Sequence, residues 1–185
     1  MKLTRLLMTG VLMLSFTAGG ALAESDNAAK RAEIRKVTAA SLEKFYKARP
    51  ELKAEVAKAP GYAVFTTYGL SFLVGGAGGK GLVHDNKTKK DTFMHMAQAS
   101  AGAQVGIAES ETLIIFESVK SMESFVNKGW EGGGGGALQA GAADKSVGGA
   151  GGGGPGKASY TLTKNGLQAG VAFEGAKFWK DKDLN

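Results

Sequence analysis

Cysteine is missing from all 185 residues, and the chain carries only three prolines and two histidines. Without cysteine there is no disulfide framework, no thiolate nucleophile and no thiol to hold a lipid anchor. The histidines, His84 and His95, flank a polar loop, and a hairpin centred near Lys87 would set His84 opposite about Thr92 and leave His95 several rungs away. A metal centre wants three or four converging ligands, so no metal or cofactor is expected and both histidines read as surface strand residues. Neither G-x-S-x-G nor H-E-x-x-H occurs, and Glu109, Glu111, Glu117, Glu123 and Glu174 fall on different elements. The chain is therefore not expected to be an enzyme. A run of ~20 apolar residues long enough to span a bilayer is lacking as well.

What is present at the start has the order of an export signal: Lys2 and Arg5, an apolar stretch from Leu6 to Ala18, and an A-x-A site at Ala21-Leu22-Ala23. Residues 1–23 are expected to be removed, leaving 162 residues that begin at Glu24 and form one domain. Their 21 Lys and Arg face 17 Asp and Glu, a balance of +4, which is only mildly basic. The expected location is periplasmic or peripheral to the cell envelope, without lipidation, and no nucleic-acid partner is expected.

From Asn27 to Lys47 a helical period collects Ile34, Val37, Thr38, Ser41, Leu42 and Phe45 on one face, with Lys36, Glu43, Lys44 and Lys47 opposite. Pro50 ends this helix and opens a second in which Leu52 and Val56 point inward. Residues 24–58 thus form a helical segment. Over 59–185 the texture changes to β-like runs at Tyr62–Thr67, Leu70–Val74, Lys80–His84, Thr92–Gln98, Ala101–Ala108 and Thr112–Glu117. Ser118 is placed to cap a short helix whose inner side is Val119, Met122, Phe125 and Val126, with Gly129 as its stop. Asn165-Gly166 is a two-residue hairpin signal that pairs Ser159–Lys164 with Leu167–Phe173. The fold class is α+β, mainly antiparallel β: a twisted or barrel-like sheet covered by the N-terminal helices and closed by this hairpin.

Gly132–Gly156 holds 13 glycines in 25 residues and has little apolar area to offset the entropy of ordering, so it reads as a glycine-rich loop. Gly76–Gly81 spells G-x-G-x-x-G, yet a strand-like run follows where a dinucleotide site needs a helix; a glycine-rich β-turn or bulge is the reading that fits. Gly151–Lys157 nearly spells a phosphate-binding loop, but Ala158 stands where Ser or Thr would hold magnesium. Exposed glycine amides beside Lys157 remain a candidate cradle for a phosphate headgroup. Lys87, Lys89 and Lys90 in the loop Asp85–Asp91 are the strongest local anion-binding candidates, each worth about 1 kcal/mol near an anionic surface. Asp85 and Asp91 offset part of that charge, so a plain solvated loop is the competing reading.

Several pieces of the chain resemble the SYLF-domain family. They are the stretch from Tyr160 through Asn165-Gly166-Leu167, Ala169-Gly170-Val171 and Glu174-Gly175; Ala59–Phe65; the cluster Gly75–Gly81; and Ala101–Gly106 with Leu113–Phe116. The resemblance implies a lipid-binding module, in some members one that recognises phosphoinositides, in some eukaryotic members one that acts on actin. In some members of the family a helix preceding the β-rich part is implicated in lipid contact. In this chain Glu33 and Glu43 interleave with the lysines of that helix, which points to packing on its own sheet. The function expected from the resemblance is noncatalytic binding of anionic phospholipid or a phosphoinositide-like headgroup in the bacterial cell envelope. The alternative is an envelope scaffold whose glycine-rich segment meets a protein or polymer partner.

Overall fold

A computed structural model of the chain describes residues 18–72, 76–99, 109–132, 156, 158–163, 166–169 and 176–185. Helix α1 (Ala18–Ala48) begins upstream of the expected Asn27 and runs across the expected Ala21–Ala23 site. Thr38, Ser41 and Phe45 are buried on one side of it, with Ile34, Val37 and Leu42 half-buried beside them, the face that the 3.6-residue period marks. Pro50 caps α2 (Glu51–Lys58), and Leu52 and Val56 are buried.

The strands are β1 (Gly61–Phe72), β2 (Gly76–Asp85), β3 (Asp91–Ala99) and β4 (Glu109–Ile115), then β5 (Trp130–Glu131) after helix α3 (Val119–Lys128), then β6 (Ala158–Thr163), β7 (Gly166–Ala169) and β8 (Ala176–Lys180). Among the described residues they form one antiparallel sheet, curled into a half-barrel, in the order β5-β8-β3-β2-β1-β4-β6-β7. The α+β architecture is as expected. The hairpin β6–β7 borders the sheet rather than closing it, and β8, which carries no turn signal ahead of it, inserts between β3 and β5.

Strand alternation divides the sheet into two faces. Tyr62, Val64, Leu82, Phe93, Leu113, Ile115 and Tyr160 face α1 and α2, where Phe45, Leu52 and Val56 complete one cluster and Ile34 and Leu184 a smaller one. Ala63, Phe65, Val83, Met94, Met96, Ile114, Ala176 and Phe178 fill the other face against Met122 and Phe125 of α3. There the rings of Phe65, Phe125 and Phe178 pack at centroid distances of 4.8 to 6.3 Å, tilted or edge-on. Helix α3 has the expected cap: Ser118 accepts from the Ser121 amide and Ser121 reciprocates, and Gly129 ends it. Val119, expected inside, is 48% exposed because it sits in the first turn beyond the reach of that core.

Three local expectations change. The runs Tyr62–Thr67 and Leu70–Val74 are one strand as far as Phe72, with a register shift between Tyr68 and Phe72. Gly76–Gly81 is no turn but the first half of β2, and the bulge alternative is met by the register shift in β1 between Tyr68 and Phe72, which lie opposite Gly78 and Gly76. A Cβ on Gly81 would lie 2.1 Å from the Val64 carbonyl oxygen, so the curl of β1 over β2 demands the missing side chain. In the hairpin, Thr163 pairs with Gly166 and Leu162 with Leu167, so Gly166 belongs to β7 and not to the turn expected at Asn165-Gly166; Lys164 and Asn165 lie outside the described residues. This register sets two leucines opposite each other on the face toward α1, where both pack on the core. The strand expected at 101–108, Val171 and Phe173, and the loop 132–156 apart from its end residues lie outside the described residues.

Candidate functional site

The β2–β3 turn is a hydrogen-bonded structure that presents three of the candidate lysines. Asp85 organises it: its Oδ1 accepts from the amides of Lys87 at 2.8 Å and Thr88 at 3.0 Å, while its backbone carbonyl accepts from the Lys89 amide at 2.9 Å. These bonds, the one from the Thr88 amide foremost, hold the Asp85 carboxyl below the usual carboxylate range. Lys89 takes the left-handed conformation, φ 58°, that lets the turn return to Lys90, whose carbonyl accepts from the Asp85 amide at 3.0 Å. Asn86 pins the turn to the end of α2, donating from Nδ2 to the carbonyls of Val56 at 2.7 Å and Ala59 at 2.8 Å.

Asp91, at the other end of the turn, is engaged inward. Its Oδ2 accepts from Arg35 Nε of α1 at 2.6 Å and its Oδ1 lies 2.7 Å from His84 Nδ1. Burial works to raise its pKa, but the bonds from Arg35 and His84 outweigh burial and hold it low. Both carboxylates that flank the lysines are thus occupied by turn amides, Arg35 and His84. Lys87, Lys89 and Lys90 are exposed, and none enters an ion pair among the described residues. Lys157, the fourth candidate, lies outside the described residues.

The histidines are not bare surface residues. His84 sits opposite Asp91, one residue from the expected Thr92, and its ring lies 5.2 Å from that of Tyr62. His95 is paired through Nε2 with Asp181 Oδ2 at 2.8 Å and stacks on Trp179. Their partners come from β3 itself and from residues far along the chain, which spacing alone does not bring together. Burial pushes the Tyr46 hydroxyl up to about 12 and raises that of Tyr62. A cleft of about 250 Å³ opens between α1 and the β1–β2 pair, with Ile34, Val37, Thr38 and Thr66 inside and Lys30, Glu33 and Lys80 around it. The G-x-G-x-x-G segment, being a paired strand, aims no helix N-terminus at any ligand.

The family model described as Las17-binding protein actin regulator, Ysc84, matches residues 97–185, from the end of β3 onward. Beta cell expansion factor A of Aeromonas veronii is 32% identical over 154 residues, which cover 83% of this chain and 58% of that protein. SH3 domain-containing YSC84-like protein 1 of Homo sapiens and its counterpart in Rattus norvegicus are each 29% identical over 136 residues, covering 70% of this chain and 40% of theirs. The chain thus spans 40% to 58% of the length of these curated relatives.

Proposed function

The chain belongs to the SYLF-domain (Ysc84) family, and from that premise we propose that it is a noncatalytic binding protein for anionic phospholipid headgroups. The observation that carries this reading is the β2–β3 turn: Lys87, Lys89 and Lys90 face solvent while Asp85 and Asp91 are held by turn amides, Arg35 and His84. Three lysines near an anionic surface contribute about 1 kcal/mol each, a weak attachment that salt screens over about 8 Å at physiological ionic strength. Export to the cell envelope is part of the proposal, supported by the charged, apolar and A-x-A segments that precede Glu24. Attachment there is noncovalent, since no thiol is available for a lipid.

Sedimentation with vesicles of phosphatidylcholine and phosphatidylglycerol, repeated at rising salt, tests the reading. Wild type is expected to bind weakly and to be released by salt. The variant in which Lys87, Lys89 and Lys90 are all Gln is expected to bind several-fold less with an unchanged melting temperature, because all three side chains are exposed. Equal binding by this variant would move the headgroup site elsewhere. A second reading, a scaffold that contacts another protein, draws on the family description as a Las17-binding protein; co-purification with an envelope protein and indifference to every vesicle would favour it.

A further inference from the structure

Strand β8 buries Ala176 and Phe178 and turns Lys177 and Trp179 to the opposite side. That side carries a continuous cross-strand rung, since Lys80 pairs with His95 and His95 with Trp179. Trp179 is 40% exposed, and Val119 is the other large hydrophobic side chain so exposed among the described residues. Its indole is not loose. One face stacks on the His95 ring, with centroids 5.4 Å apart and planes 22° from parallel. His95 is held in turn by Asp181, whose side chain is 7% exposed and whose Oδ1 accepts from the amides of Asp183 at 2.9 Å and Leu184 at 3.1 Å. The fold therefore holds a large amphipathic ring at the surface, leaning on a fixed partner.

The charges around it are mostly positive. Lys80 and Lys182 are exposed and enter no ion pair among the described residues, and Lys177 is paired with Glu131 at 3.1 Å; Lys180, opposite Met94, alternates to the other face. Asp181 points inward to His95 and backbone amides; the exposed carboxylates nearby are Asp183, and Glu33, which lines the cleft with Lys80 and Lys30. An indole suits the bilayer interface because its body is apolar and its N–H is polar, and lysines on flexible stems suit a diffuse anionic surface. A specific acidic peptide would instead be met by the planar fork of a free arginine, whereas Arg31 is engaged with Leu184 and Glu24 and Arg35 with Asp91.

Resting on the membrane reading above, we infer that Trp179, flanked by Lys80, Lys177 and Lys182, is a second membrane-contact surface at which the indole enters the headgroup region of an anionic bilayer. Along β3, His95 lies four residues from Asp91 at the end of the lysine turn, about 13 Å at strand rise. The two contacts are separable by mutation.

The chain has two tryptophans, so in a Trp130→Phe background all indole emission comes from Trp179. Titration with vesicles of phosphatidylcholine and phosphatidylglycerol is expected to shift that emission to the blue, and brominated acyl chains are expected to quench it. Trp179→Ala should weaken partitioning roughly five- to tenfold and Trp179→Phe should restore most of it. If Trp130→Phe disturbs the fold, the difference between wild type and Trp179→Ala emission reports the same shift. Sedimentation with vesicles while Trp179 emission stays unshifted and Trp179→Ala binds as wild type would overturn this inference and leave the lysine-turn reading standing. Failure of wild type to sediment with any vesicle would overturn both.

Discussion

Gly166 adopts φ +110°, a region that L side chains rarely enter, although a Cβ there would meet open space. Substitution is therefore costly through the backbone alone: Gly166→Val should lose about 1–3 kcal/mol, seen as a lower melting temperature. Because the β6–β7 hairpin borders the sheet, its loss should leave vesicle binding through the turn lysines intact at temperatures where the variant is folded. Asp85 gives a second residue-scale test. Its folded pKa lies below its unfolded value near 3.9, so over that window the unfolded chain binds more protons and stability falls as pH falls. Melting temperatures measured from pH 6 down to pH 3 should decline for wild type, and Asp85→Asn, which keeps an acceptor for the Lys87 and Thr88 amides but does not titrate, should decline less steeply.

At the scale of elements, helix α1 is bound to the sheet through a narrow strip. Its fully buried large side chain is Phe45, which inserts among Leu52, Val64, Leu113 and Tyr160, while Thr38 and Ser41 fill the close approach. Phe45→Ala should cost about 3–5 kcal/mol, and chemical denaturation should report it as a lower midpoint. Helix α3 depends on its cap. Ser118→Ala removes the acceptor for the Ser121 amide, a loss of about 1 kcal/mol, or roughly 2–4 °C for a domain of this size. The turn between β2 and β3 behaves as an element in its own right, because Asn86 bonds it to α2 and Arg35 bonds Asp91 to α1. The same lysines on a loose loop would lose more entropy on meeting a surface.

For the whole molecule, the chain after residue 175 holds the half-barrel together. β8 lies between β3 and β5 and supplies Phe178 to the larger core. Beyond it, Leu184 packs against Leu82 and Phe93, and Asn185 exchanges hydrogen bonds with the Phe93 backbone at 2.9 and 2.8 Å. Arg31 and Asn27 of α1 donate to the carbonyls of Leu184 and Asp183, so this segment also bonds α1 to the sheet. Deleting residues 176–185 should abolish cooperative unfolding, since β3 would gain an unpaired edge and one of the interlocked phenylalanines would be gone. A sharp thermal transition in the truncated chain would refute that role.

Local patterns alone determined much of this molecule. The period of α1, the inward Leu52 and Val56 behind Pro50, the Ser118 cap with its Gly129 stop, most of β3, and the exposure of Lys87, Lys89 and Lys90 follow from neighbours a few residues apart, where backbone geometry dictates which side chains share a face. Tertiary structure decided what depends on distant partners. Gly76–Gly81 became a strand because β1 curls over it, and the hairpin register followed the pairing of Leu162 with Leu167 on the core. Asp91 became silent as a surface charge because α1 brings Arg35 to it. β8 was marked only by the short alternation of Ala176, Phe178 and their exposed neighbours, and its place beside β3, which sets Trp179 on His95, arises from chain folding over more than 80 residues. Sequence spacing holds no record of such a contact, because the side chains that form it meet only once the sheet is assembled.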